Sequence, residues 1–192
     1  EAAETCDTFY ATATTGNDAV VIIGVTIDSI TPEYLAKDSG DKSTVTFTIS
    51  PEEYTAISIT MFADGSSWDL GGGGGGGGTY TTELIEGTDL LEVKQYSVKI
   101  VVDGVESNIK NVTVFAIQPL NVDATDPSSV KVKFKIIPDN FVLEHCIFTA
   151  PKKTESRKNV SGELVFNYDQ NDLSKGSNEI KLIGRYKDQR VE

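Results

Sequence analysis

The sequence predicts an all-β protein, an immunoglobulin-like or jelly-roll antiparallel β-sandwich in two sandwich units, led by an extended N-terminal strand arm. The first observation is composition. Val, Ile, Phe, Tyr and Thr dominate, and these residues suit a pleated, half-buried surface. The second is periodicity, because apolar and polar residues alternate over short segments bracketed by Gly, Pro, Asn and Asp. The third is an absence, since no long helical period runs through the chain. At 192 residues, 39% hydrophobic and 24% charged, the chain can bury a proper core in one large or two small domains.

Residues 1–18 form the arm. Thr8, Phe9, Tyr10, Ala11, Thr12, Ala13, Thr14 and Thr15 read as one extended strand, closed by the turn signal Gly16-Asn17-Asp18. No hairpin turn lies on its N-terminal side, so its partner is non-local.

Residues 19–118 form the first β domain. Residues 20–27 are a nearly continuous apolar run, suited to a strand covered on both faces. Residues 44–49 place Val45, Phe47 and Ile49 on one face and three threonines on the other, and residues 56–62 repeat the pattern with Ile57, Ile59 and Met61. A strand at 96–102 meets Asp103-Gly104, a type I′ hairpin signal, before a further strand at 108–117. Eight glycines at 71–78 interrupt this half. Ordering them as strand or helix costs backbone entropy, so they read either as a natural Gly-rich loop or as an engineered linker or placeholder residues, with no function attached.

Pro119 marks the boundary to a second domain, 119–192. Val130, Val132, Phe134 and Ile136 alternate with Lys131, Lys133 and Lys135, the cleanest period in the chain. Strands follow near 142–149, 162–168 and 179–186, and residues 151–158 read as a polar, locally basic loop.

The formal charge is −12. A phosphate backbone is repelled by such a field, so nucleic acid is not an expected partner, and cations are. No segment reaches the roughly 18 uninterrupted apolar residues of a membrane helix. The opening Glu1-Ala2-Ala3-Glu4, without Met, reads as a mature form after signal removal, and a secreted or cell-surface location is expected. Cys6 and Cys146 then either bond, closing a long loop worth about 4–5 kcal/mol in the chain-entropy model, or stay buried thiols.

Chemistry finds little to work with. His145 is the one histidine, and it adjoins Cys146, but neighbours on a strand point to opposite faces and make no catalytic pair. One His and two distant Cys do not supply about four zinc ligands. The glycine run lacks a following Gly-Lys-Ser/Thr. No enzyme activity is expected. Calcium is the one cofactor considered. Asn167, Asp169, Asn171 and Asp172 set oxygens at close intervals, and Asp123 and Asp126 sit in a turn of the same half. This loop reads either as a polar turn or as a site for a cation that wants about six to eight oxygens. Asn111-Val112-Thr113 and Asn159-Val160-Ser161 match the glycosylation pattern, with Asn159 the better exposed of the two expected acceptors.

A sandwich of this kind wants about seven strands. Residues 119–192 show four clear ones, which leaves an apolar groove and an unpaired edge. The arm either fills that groove in the next copy, giving an open head-to-tail fibre, or pairs within its own chain. Phe9-Tyr10-Ala11-Thr12-Ala13-Thr14 resembles the N-terminal segment of the archaeal cannula subunits, extracellular tubule proteins of hyperthermophiles. Residues 130–149 and 162–187, with Ile180-Lys181-Leu182 before Tyr186, are similar to that family's later strands, and the chain is more loosely similar to the TasA and camelysin biofilm-fibre proteins. Residues 19–118 have no counterpart in the likeness. The resemblance implies a jelly-roll-like sandwich, assembly with itself by strand donation, and calcium at subunit contacts. The expected function is therefore a subunit of an extracellular filament or tubule. The alternative is a monomeric adhesin or receptor fragment of tandem immunoglobulin-like domains in contact with a cell surface.

Overall fold

The computed structural model describes residues 21–71, 76–126 and 128–192. Fifteen strands and no helix form along them. In chain order the first eight are β1 (Gly24–Thr31), β2 (Tyr34–Ala36), β3 (Lys42–Ser50), β4 (Ile59–Ala63), β5 (Ser66–Gly71), β6 (Gly78–Ile85), β7 (Gln95–Val102) and β8 (Val105–Glu106). The remainder are β9 (Lys110–Asp123), β10 (Val130–Ile137), β11 (Leu143–Ala150), β12 (Lys153–Val160), β13 (Glu163–Tyr168), β14 (Lys181–Tyr186) and β15 (Gln189–Val191). The protein is all-β, built of antiparallel sandwich sheets. Two compact units divide it. Among the described residues the first takes 21–33, 42–71, 76–84 and 96–112, and the second takes 34–41, 85–95, 113–126 and 128–192. The division is therefore not a single cut at Pro119, because segments distant in sequence join the second unit.

In the first unit one sheet runs β1-β3-β6, and β4 lies between β5 and β7 in another, with β8 paired to β7. The predicted alternation of β3 is realised: Val45, Phe47 and Ile49 are buried. Val25 and Ile27 on β1 face the same side, opposite Ile49 and Phe47. A bulge between Ile27 and Ser29 then shifts the register, which returns Ile30 to the core opposite Val45. The hairpin at Asp103-Gly104 forms with φ of 47° and 88°, and Val102 pairs with Val105 across it. Gly77 lies against the backbone of Pro51, where a Cβ would fall 1.9 Å from the carbonyl oxygen.

In the second unit β10 pairs antiparallel with both β9 and β13, and a second sheet runs β12-β11-β14-β15. Their inner faces share one core that includes Val132, Phe134, Ile136, Cys146, Phe148 and Phe166. Phe134 meets Phe148 edge to face at 5.2 Å between ring centres. At the other end Tyr34, Phe115, Phe141 and Tyr186 form an aromatic cluster, the Tyr34–Tyr186 centres 4.5 Å apart. Tyr34 arrives there because β2 pairs parallel with residues 113–115 of β9.

The polar stretch expected as a loop at 151–158 is a strand instead, β12, paired along its length with β11. Its inward positions carry Glu155 and Arg157 rather than apolar residues. The Arg157 guanidinium lies 3.9 Å from the Phe166 ring centre and covers the sandwich edge.

Candidate functional site

The feature of the second unit that stands apart is an apolar groove beside the far end of β9. Pro119 cannot donate to a ladder, and the β9–β10 register shifts there: Lys133 faces Asn121 while Phe134 faces Pro119. Leu120 is the residue left over by that shift and stands 43% exposed. Past the shift Val122 pairs with Val132. Directly opposed residues share a face of the sheet. Val132 is 3% exposed and Val122 is 62% exposed, so the core-facing side of the sheet is left uncovered at its β9 margin. β10 pairs with residues 116–123 along one side of β9, and β7 neighbours β9 on the other.

A cavity of about 540 Å³ opens at this place, walled by Leu120 and Val122 of β9, Val130 and Phe134 of β10, and Leu173 and Ile180 ahead of β14. It is continuous through Ala124, Val130, Leu173 and Asn178 with a recess of about 510 Å³ that reaches Lys152 and Lys175. An apolar floor along the margin of a strand suits an extended peptide. The peptide backbone follows the strand, and alternate side chains fill the floor.

The arm residues Thr8, Phe9, Tyr10, Ala11, Thr12, Ala13, Thr14 and Thr15 lie outside the described residues, as does Cys6. Cys146 is a free thiol, 1% exposed on the core side of β11. Burial pushes it up to about 12, so it is an unreactive core thiol at neutral pH. His145 stands on the opposite face of the strand, as its adjacency requires.

The expected calcium ligands fall into two separate turns, and each carboxylate accepts from its own backbone. Asp123 takes the Thr125 hydroxyl and amide at 2.7 and 3.1 Å, and these bonds hold its carboxyl below the ordinary value. Asp126 does the same with Ser128, its hydroxyl first, and is likewise lowered. Asp169 accepts the Asn171 amide at 2.6 Å, while Asp172 accepts the Asp169 amide and the Lys153 ammonium, both at 3.1 Å. Asn167 sits exposed on β13 opposite Lys131. Among the described residues no three His, Cys, Asp or Glu side chains gather as a metal cluster.

The two glycosylation triplets are unequal. Asn111 lies on β9 with its amide oxygen taking the Ser97 hydroxyl at 3.3 Å, and Thr113 is buried. Asn159 and Ser161 are both exposed, and Asn159 has φ 51° one residue before the end of β12.

Sequence reasoning anticipated a groove in this half but not its walls, because Val122 reads as an ordinary alternating residue until its partner's burial is known. No protein-family model and no curated protein matches the sequence. Among solved structures the chain is similar to fibronectin(III)-like modules of Clostridium thermocellum CbhA, at 16% identity and a TM-score of 0.34, over 88% of this chain and 89% of that one. It is also similar to a structure from a study of host cell surface retention of a 1.5-MDa bacterial ice-binding adhesin. There identity is 13% and the TM-score 0.36, over 91% of this chain. The chain spans 63% of that adhesin chain. No helix among the described residues is long and apolar enough to cross a membrane.

Proposed function

We propose that this chain is an extracellular structural subunit that joins copies of itself by strand donation, the groove of the second unit receiving residues 8–15 of the next copy. The observation that carries the reading is the unequal pair Val122 and Val132, cross-strand partners of which one is bare and the other buried. A bare, apolar strand margin is a liability that a chain without a partner for it would blunt with charge. In an extended Thr8-Phe9-Tyr10-Ala11-Thr12-Ala13 one face carries Phe9 followed by the small Ala11 and Ala13, one anchor and then shallow positions, as a groove of limited depth requires. Donation from one copy to the next does not close on itself and makes a fibre.

Electron microscopy of three proteins tests this: the full chain, a variant lacking residues 1–16, and Val122→Lys. Fibres from the first and from neither of the others are expected. Normal fibres from the shortened chain sink the reading. The same microscopy with a chelator reads whether calcium takes part.

A second reading is favoured by the division into two compact β units. On that reading the chain is a monomeric cell-surface module, and light scattering finds a single copy at every concentration.

A further inference from the structure

The outer face of the second unit's four-stranded sheet carries a row of basic residues in register. His145 of β11 lies directly opposite Lys158 of β12 on one side and Arg185 of β14 on the other. Arg185 in turn lies opposite Arg190 of β15. One position from each of four adjacent strands therefore falls in a single line, and opposed residues share a face. At about 4.8 Å between strands the row spans roughly 14 Å. The neighbouring positions Cys146, Gly184 and Val191 point the other way, into the core.

Like charges set directly opposite one another cost stability, so a folded chain ordinarily intersperses acids among them. Elsewhere on this unit that is done: Lys133 pairs with Glu163, Lys135 with Asp139, Lys153 with Asp172 and Arg157 with Glu155. Within the row Arg190 meets Glu192, whereas Lys158 and Arg185 are recorded in no ion pair among the described residues. Charge is also divided unequally between the two units. The described segments of the first carry nine acidic and three basic residues, a formal −6, whereas those of the second carry sixteen and fourteen, a formal −2.

We infer that this row is a docking surface for the acidic first unit of a second copy of the chain. Charge complementarity names the occupant: the most negative surface a secreted homopolymer meets at high local concentration is its own. The inference rests on the assembly reading above and gives that assembly a second, electrostatic contact apart from the groove.

Salt separates this from the alternatives. Copies with a net charge of −12 and no complementary patches repel, and screening lets them associate more readily. Copies held by the row against an acidic face associate less readily as salt rises. Sedimentation of the full chain between about 0.02 and 0.3 M salt reads the sign. We expect weakening with salt. The double variant Lys158→Glu/Arg185→Glu should self-associate about tenfold more weakly at the low-salt end. Both substitutions are on exposed strand positions, and Lys158→Gln/Arg185→Gln gives a milder loss in the same direction if the reversal perturbs folding. Association that strengthens with salt, a monomer at every salt concentration, or variants that associate like the parent all overturn the inference. So does binding of a polyanion such as polyglutamate at the row with self-association unchanged. If Val122→Lys abolishes fibres while the row variants leave them intact, the row falls and the groove stands. If neither substitution matters, both fall.

Discussion

Asp103 shows how much one side chain can be made to hold. It turns the β7–β8 hairpin at positive φ, and its carboxylate accepts from the Tyr54 hydroxyl, the Ile57 and Ser58 amides and the Ser58 hydroxyl. Burial works against its charge, but these donors outweigh it and keep the carboxyl below the ordinary value. The same contact, after burial, pushes the Tyr54 hydroxyl up to about 12. Asp103→Asn keeps a residue that tolerates the left-handed backbone but removes the charge and turns one of the two accepting oxygens into an amide donor. Chemical denaturation should show a loss of about 1–2 kcal/mol, and no change would mean the donors prefer water. Tyr168 is the converse case. Its hydroxyl is buried on β13 without a partner among the described residues, and burial pushes it up to about 12. Tyr168→Phe should therefore be neutral or raise stability by up to about 1 kcal/mol by the same measurement. A loss of more than that would reveal an ordered water on the oxygen.

At the level of elements, the two segments that join the second unit from far away, 34–41 and 85–95, are clipped to each other by an ion pair. Glu86 is buried, and it accepts the Lys37 ammonium at 3.0 Å and the Gly40 amide at 3.1 Å. The Glu86 amide donates back to the Asp41 carbonyl at 2.9 Å. The bond to Glu86 raises the Lys37 pKa above its ordinary value despite some desolvation. Lys37→Met strands a buried carboxylate and should cost about 2 kcal/mol, less than for a fully buried pair because Lys37 keeps partial exposure. Nothing in residues 34–41 or 85–95 announces this clip, since a lone Lys and a lone Glu at such separation carry no local signal. What was legible was periodic. β3 and β10 each bury one face against a core, so alternation names the buried residues in advance. The Asp103-Gly104 turn was legible because φ above zero restricts residue choice. β12 was not, because its core-side cover is an arginine lying on an aromatic ring, and a charged residue reads as solvent-facing until its neighbour is known. The groove was half legible. The four strands read in residues 119–192 pointed to an uncovered edge, but six form there, β10 to β15, so the shortage itself was not real. Only the register of β9 on β10 identifies Val122 and Leu120 as the residues laid bare.

Over the whole molecule, pH sets two effects of charge against each other. Asp103, Asp123, Asp126 and Asp172 are all held below the ordinary 3.8 by hydrogen bonds made in the folded state. A carboxyl with a depressed folded value contributes stability that is fully present above its unfolded value and is lost as pH falls through the folded one. The contribution of these four is therefore complete at neutral pH and fades below about pH 4. Against this, protonation relieves the self-repulsion of a chain carrying −12. The repulsion is spread over exposed carboxylates in high dielectric and is weak per pair, while the hydrogen bonds are short and local. The thermal midpoint should accordingly stay nearly level between about pH 7 and 5, then fall steeply below about pH 4. In alkali the Lys37–Glu86 clip acts with the opposite sign. A raised lysine value stabilises below the ordinary 10.5 and stops doing so as pH climbs through the folded value. The Tyr54 and Tyr168 hydroxyls and the Cys146 thiol, pushed up to about 12, lose stability with the same sign. A second decline should therefore begin in alkali and be shallower but still present in Lys37→Met. Calorimetry across the full range decides between the two effects at the acid end. A midpoint that rises continuously into acid would mean that relief of repulsion outweighs the turn hydrogen bonds, and that the four aspartates shape their loops without stabilising the fold.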